Sequence, residues 1–218
     1  MAATTPKSTT GSTINEEKYT TIIIVEISDI IIQYKDKRFN CNEAIIKHYS
    51  SKFKALLDGK KEPYSKMDAK LHTEDPKRIV LADDNFSSDH LSEILKWMHC
   101  PIFVSTRSTE LKENNYPEYY YISTKYVMPQ ILAYAKDCFN KDSSYTCTNS
   151  QAFSRWMNCL FLFESLNITK VAFTNTNIIP MPLVWKRLIN DGGTFVTTYE
   201  ALKDTTKILM LDYLVNMK

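Results

Sequence analysis

Residues 28–57 read S-D-I-I-I-Q-Y-K-D-K-R-F-N-C-N-E-A-I-I-K-H-Y-S-S-K-F-K-A-L-L. The period of the apolar residues changes within this stretch. Ile30-Ile31-Ile32-Gln33-Tyr34 is β-branched and aromatic, as a strand requires. Lys35-Asp36-Lys37 is a polar turn in which Asp36 is the residue expected to tolerate a left-handed backbone. Arg38-Phe39-Asn40-Cys41 returns as the partner strand, with Phe39 and Cys41 on one face. From Asn42 onward, Ile45, Ile46, Tyr49, Phe53, Leu56 and Leu57 recur at helical spacing. Ser50-Ser51 divides this run into two short helices, and Gly59 stands where a helix C-terminus accepts a residue without Cβ.

The flanks extend the pattern. Upstream, Thr20 to Ile27 (T-T-I-I-I-V-E-I) predicts a strand. Its Ile22-Ile23-Ile24-Val25 run reads either as a buried strand or as an edge that pairs with a partner. Residues 2–13 are small and polar and cannot offset their ordering entropy, so residues 1–18 are expected to be a disordered Ser/Thr-rich tail. Downstream, 60–77 reads as a polar loop and Arg78 to Leu81 as a short strand. Ser88 or Asp89 caps a helix facing inward through Leu91, Ile94, Leu95 and Met98. Residues 101–118 read as irregular and Tyr119 to Tyr126 as a helix. Pro129 opens another helix, where its missing N–H does no harm. Its inner face is Ile131, Leu132, Ala135, Cys138 and Phe139. Lys141 to Ser150 reads as a polar linker. Helices follow around Trp156 and Leu160, around Leu183 to Leu188, and after the capping box Thr197-x-x-Glu200.

Composition excludes several function classes. The 218 residues include only 4 glycines, none in a dinucleotide or P-loop spacing. A net charge of +2 supplies no field for nucleic acid. The 5 cysteines contain no C-x-x-C, so reduced thiols in an intracellular, cytoplasmic or nuclear protein are expected. The Met1 to Tyr19 segment has no apolar signal region, and no apolar run is long enough to span a membrane. His99-Cys100 are helix neighbours that do not face each other, so a nucleophile pair is not expected. The remaining histidines, His48, His72 and His90, lack ligand spacing for zinc. Glu16-Glu17, Glu93, Glu110 and Glu113 read as solvated carboxylates. Tyr116, Tyr119, Tyr120, Tyr121 and Tyr126 read mainly as packing, as do Trp156, Phe161, Phe163 and Trp185. No catalytic, metal or cofactor site is expected.

Five motifs in order resemble the BTB/POZ family. Ser28 to Ile32 is similar to its S-D-V-x-L opening, and Phe39 to Ile46 to F-x-A-H-K-x-V-L. Ser50 to Leu57 fits S-x-x-F-x-A-L-F without a gap. Leu91 to Pro101 resembles L-x-x-x-L-x-F-I-Y-T-G, with Pro101 at the glycine. Tyr126 to Leu132 is similar to Y-L-Q-M-P-E-L. The resemblance implies an α+β fold, a helical core capped by a small mixed β-sheet, followed by a small all-α region. It places a BTB/POZ-like domain over 19–142 and a helical extension of BACK type over 143–218.

The resemblance also implies function: a protein–protein interaction module rather than an enzyme. Such a module dimerises and serves as an adaptor or scaffold, here most plausibly the substrate adaptor of a cullin-RING ubiquitin ligase. The alternative is a structural homo-oligomeric scaffold or a transcription-associated protein without cullin binding. The expected partners are a second copy, a cullin N-terminal domain and an unidentified target protein, with no nucleic acid and no membrane. Ile22 and Ile24 mark the candidate dimer strand. Met67, Asp68 and Leu71 mark the candidate cullin loop, which lacks the family's apolar-x-Glu ending. Asp29 and Glu43 replace the family's charged pocket with two acids, which disfavours corepressor binding there.

Overall fold

The computed structural model describes residues 19–60, 69–100, 111–145, 150–169 and 199–215. The predicted hairpin forms as β2 (Ile30–Tyr34) and β3 (Lys37–Cys41), antiparallel with Ile32 opposite Phe39. The left-handed turn residue is Lys35 (φ +54°) rather than Asp36. Tertiary contacts hold it there, because the Lys35 ammonium donates to the Phe86 carbonyl at 3.0 Å. β1 (Thr20–Ile23) pairs parallel to β3 and β5 (Arg78–Leu81) parallel to β2. β4 (Ala69–Leu71) pairs antiparallel to β5, giving a five-stranded mixed sheet in the order β1-β3-β2-β5-β4.

Two sequence expectations change here. The strand predicted over Thr20 to Ile27 stops at Ile23. Ile24 N–H donates to Asn40 O, but the next donor on that side of the partner strand, Asn42 N–H, is taken by His99 Nε2, and the ladder ends. Ile27 beyond it is 82% exposed. The predicted loop 60–77 contains β4, a three-residue strand added to the edge left by β5.

Strand alternation sorts the sheet into two faces. Ile30, Ile32, Tyr34, Phe39, Cys41, Ile79 and Leu81 point to the helices and are buried. Burial also drives the Cys41 thiol well above its ordinary pKa. The alternate residues Ile31, Gln33, Arg38, Asn40, Arg78 and Val80 lie on the opposite face and remain half-buried.

The predicted helix pair is α1 (Glu43–Tyr49) and α2 (Ser51–Leu57). Ser50 separates them: its hydroxyl accepts from Phe53 N–H at 3.1 Å and donates to Tyr126 O at 2.6 Å. Gly59 ends the pair at φ +66°, a conformation that disfavours a Cβ. α3 (Ser88–His99) is capped by Ser87, one residue earlier than predicted, and buries Leu91, Ile94, Leu95 and Met98. A 3₁₀ turn at Glu113–Asn115 leads into α4 (Tyr116–Lys125), which begins three residues before the predicted start.

α5 (Pro129–Tyr145) continues through the first half of the predicted linker. α6 (Ser150–Leu166) packs on α4 and α5, with the Tyr120 and Phe163 rings 4.6 Å apart. Trp156, Phe163, Phe139 and Tyr120 thus join the same buried cluster as the sheet. α7 (Asp204–Val215) follows a helical turn at 199–201. The predicted tail 1–18, Gly192-Gly193, Trp185 and the helix around Leu183 to Leu188 lie outside the described residues.

Candidate protein-interaction surfaces

The sheet's first edge is β1. Thr20 N–H donates to Asp36 O at 2.8 Å and Ile24 N–H to Asn40 O at 3.2 Å. In a parallel ladder the even-numbered residues therefore serve β3, and the N–H and C=O of Thr21 and Ile23 face outward. Ile22 and Ile24, the predicted dimer-strand residues, are half-buried and pack on the core. Ile23 is the exposed one, at 68%. The run is thus an edge whose even side chains face the core and whose odd backbone groups are open.

The opposite edge is β4. Leu71 of the predicted cullin loop pairs with Ile79 and packs against the core, so most of this side chain is already engaged. Met67 and Asp68 lie outside the described residues.

Asp29 and Glu43 are brought together, as the sequence implied. The Asp29 carboxylate accepts the Glu43 backbone N–H at 2.5 Å, satisfying an orphan donor of the first turn of α1. The Glu43 carboxylate turns to Lys47, at 2.8 Å, and to Lys77. Hydrogen bonds from Lys47 and then Lys77 hold its carboxyl below the usual range. Lys47 also binds Asp58 at 2.7 Å. Glu43 and Asp58 are thus paired with Lys47 and Lys77, while the Asp29 carboxylate is spent on the start of α1.

His99 is engaged on both ring nitrogens. Asn42 N–H donates to Nε2 at 3.0 Å, and Nδ1 lies 2.7 Å from Leu95 O, which fixes the Nδ1–H tautomer. Burial lowers its pKa, and the bond to the Leu95 carbonyl only partly opposes this. The ring joins the end of α3 to the cap of α1 and has no free nitrogen for chemistry with Cys100.

The tyrosine cluster is core. Tyr116, Tyr119, Tyr120, Tyr121 and Tyr126 are all buried. Two acids, Glu93 and Asp83, accept from the hydroxyls of Tyr119 and Tyr121. Tyr119 OH donates to Glu93 at 2.5 Å, where Lys112 and Asn115 also bind. Glu93, expected to be solvated, is half-buried. Burial alone would raise its pKa, and the bonds from Lys112, Tyr119 and Asn115 bring it below the ordinary value. Tyr121 OH donates to Asp83 at 3.0 Å, and Lys125 pairs with Asp83 at 2.6 Å.

The described residues contain no group of three His, Cys, Asp or Glu side chains placed to hold a metal ion. Among them no helix is long and apolar enough to cross a membrane. Among the described residues Cys41, Cys100, Cys138 and Cys159 are not joined to one another by disulfides.

What the arrangement offers is surface: a strand edge and a sheet face on which no other described element packs. No curated protein is similar enough to the chain to count as a match. The BTB/POZ domain family model matches residues 25–143, more than half of the 218 residues. The five motifs, the small mixed sheet on a helical core and this match agree, and the chain belongs to the BTB/POZ family, whose domains are protein-interaction modules.

Proposed function

We propose that the chain acts as a bridging module that self-associates along β1 and holds further proteins on its remaining surfaces. The open β1 edge carries this reading. Among the described residues nothing pairs with the outward backbone groups of Thr21 and Ile23, the Ile23 side chain is exposed, and the strand carries no charge. Such an edge is a template for strand addition, and a second β1 supplies the same unpaired groups. Light scattering tests it. The expected mass is that of a dimer or larger at micromolar concentration. Ile23→Lys shifts it to a monomer without unfolding the chain, because Ile23 does not face the core. A monomeric wild type refutes the proposal.

A second reading is the substrate adaptor of a cullin-RING ligase, acting by raising the target's effective concentration near the transferring enzyme. Family membership supports it, and Met67-Asp68 immediately precedes β4 in the sequence. The engaged Leu71 and the absence of Glu from the loop's candidate motifs favour the scaffold instead. Titration with a cullin N-terminal domain separates the two, and no binding at tens of micromolar rejects the adaptor. We further propose 19–142 as the BTB/POZ unit and 143–218 as a BACK-type helical extension. Its α6 packs on α4 and α5 and offers a second site for a target.

A further inference from the structure

The face of the sheet turned away from the helices is chemically one-sided. The five strands contain Lys37, Arg38, Lys70 and Arg78 and no Asp or Glu, although the chain as a whole has 27 basic and 25 acidic residues. Lys37 points to the helix side, where Asp89 neutralises it at 2.7 Å. The other three cations share the outer face. Arg38 has no ion-pair partner among the described residues. Its guanidinium lies 4.3 Å from the centroid of the Tyr19 ring, and its Nε has no hydrogen-bond acceptor. Lys70 is exposed and likewise without an ion pair among the described residues. Arg78 meets Asp75 through one terminal nitrogen at 3.2 Å and leaves its Nε without an acceptor.

Register arranges these charges around apolar side chains. Arg38 and Lys70 stand in one cross-strand row with Val80 between them. Ile23, Ile31 and Arg78 stand in the next row. Arg38 and Lys70 are three strands apart, roughly 14 Å at the usual inter-strand spacing. An extended segment with acidic side chains four residues apart spans about the same distance.

We propose that this outer face is a docking surface for an acidic segment of a partner protein that carries aliphatic side chains among its carboxylates. Charge complementarity selects that occupant: three cations, two of them without an acid, surround Ile23, Ile31 and Val80. The carboxylates would bind Arg38, Lys70 and Arg78, and the aliphatic groups would cover the isoleucines. A basic segment would meet like charge. The surface is distinct from the β1 edge, so the two proposals fail separately.

Fluorescence anisotropy with a labelled peptide of interspersed Glu and Leu tests the inference on the full chain. Saturable binding is expected at low salt, weakening as salt shortens the screening length. Reversing both charges in R38E/K70E should weaken it about tenfold or more, the two pairs each contributing up to about fivefold. Lys70→Glu alone, on an exposed side chain, should weaken it about fivefold and guards against misfolding of the double variant. A matching Lys and Leu peptide should not bind, and the mass of the assembly should not change.

Three results overturn the proposal. One is affinity for the acidic peptide that is absent or indifferent to both variants. Another is a single-stranded oligonucleotide that binds with the expected charge dependence when the peptide does not. The third is a gain of about tenfold in E16Q/E17Q, which would assign the face to the chain's own acidic residues before Tyr19.

Discussion

Breaking the pair between Asp83 and Lys125 should reveal what holds α4 against the sheet. The Asp83 side chain is 1% exposed and Lys125 13%, with 2.6 Å between their charged atoms. Asp83 also accepts from Asn85 N–H, Asn85 Nδ2 and Tyr121 OH, each at 3.0 Å. Removing one member of a buried pair costs about 3–5 kcal/mol. In Lys125→Met the three neutral donors stay with the carboxylate, so the lower end, about 3 kcal/mol, is expected. Asp83→Asn should cost a similar amount, because it removes the carboxylate that pairs with the largely buried Lys125 ammonium. The double variant leaves no charge stranded. It should lose about 3–4 kcal/mol rather than the sum, a coupling of about 2–3 kcal/mol.

Urea unfolding followed by tryptophan fluorescence gives all four values. The pH dependence has a definite sign. Burial alone would raise the Asp83 carboxyl, but Lys125 and Asn85 N–H hold it below its usual value. Its contribution is present above about pH 3.9 and is lost as pH falls through the folded value. Burial alone would lower Lys125, but Asp83 and Tyr121 more than reverse this and raise it. Its contribution is present below about pH 10.4 and is lost as pH rises through the folded value. The coupling should therefore be flat across neutral pH and shrink at the acid end. Costs that add to within about 0.5 kcal/mol, or a Lys125→Met cost unchanged at acid pH, would refute the reasoning.

Three further outcomes are expected. Ser50→Ala removes the α2 cap and leaves Tyr126 O without its donor, so urea unfolding should show a loss of about 2 kcal/mol. His99 is held neutral and its pKa is lowered, so the unfolded chain binds its proton first. Stability should fall as pH drops below about 6.5, by at most about 1.4 kcal/mol per pH unit, and His99→Gln should flatten that slope in thermal melts. Phe163→Ala should cost about 3–5 kcal/mol and move one cooperative transition. A separate transition for the C-terminal helices, seen by calorimetry, would mean that α6 does not share the core.

What could be read from the chain follows the range of the interactions. Ile30 to Tyr34, the break at Ser50, the cap at Gly59 and the inner face of α3 depend on residues a few positions apart, and period and capping rules capture them. Ala69-Lys70-Leu71 offers only two apolar residues in a polar stretch. It becomes a strand because β5 has a free edge, a fact about topology rather than about those residues. Asp83 with Lys125 and Glu93 with Tyr119 are separated by 42 and 26 positions. No local pattern distinguishes such acids from solvated ones. Ile22, Ile23 and Ile24 are equally apolar, so residue type alone does not say which of them faces outward. The parity of the ladder with β3, fixed by Thr20 N–H to Asp36 O, makes Ile23 the outward residue.

That parity links the core to both proposed surfaces. Placing Ile22, Phe39, Ile32 and Ile79 in one buried row forces Thr21, Arg38, Gln33 and Val80 into a row on the other face. A shift of one residue would bury Arg38 and expose Phe39, which the core does not permit. The positions of Arg38, Arg78 and Ile23 are therefore set by the same burial that stabilises the fold, and need no separate device. The Asp83 network ties the end of α4 to the segment just after β5, and the Glu93 network ties its start to α3. A net charge of +2 conceals this arrangement, because acids on helices and loops cancel the cations in the total while the five strands keep theirs. The outer face is consequently basic and apolar on a nearly neutral chain, and its preference for an acidic partner is a local property that whole-chain charge cannot reveal.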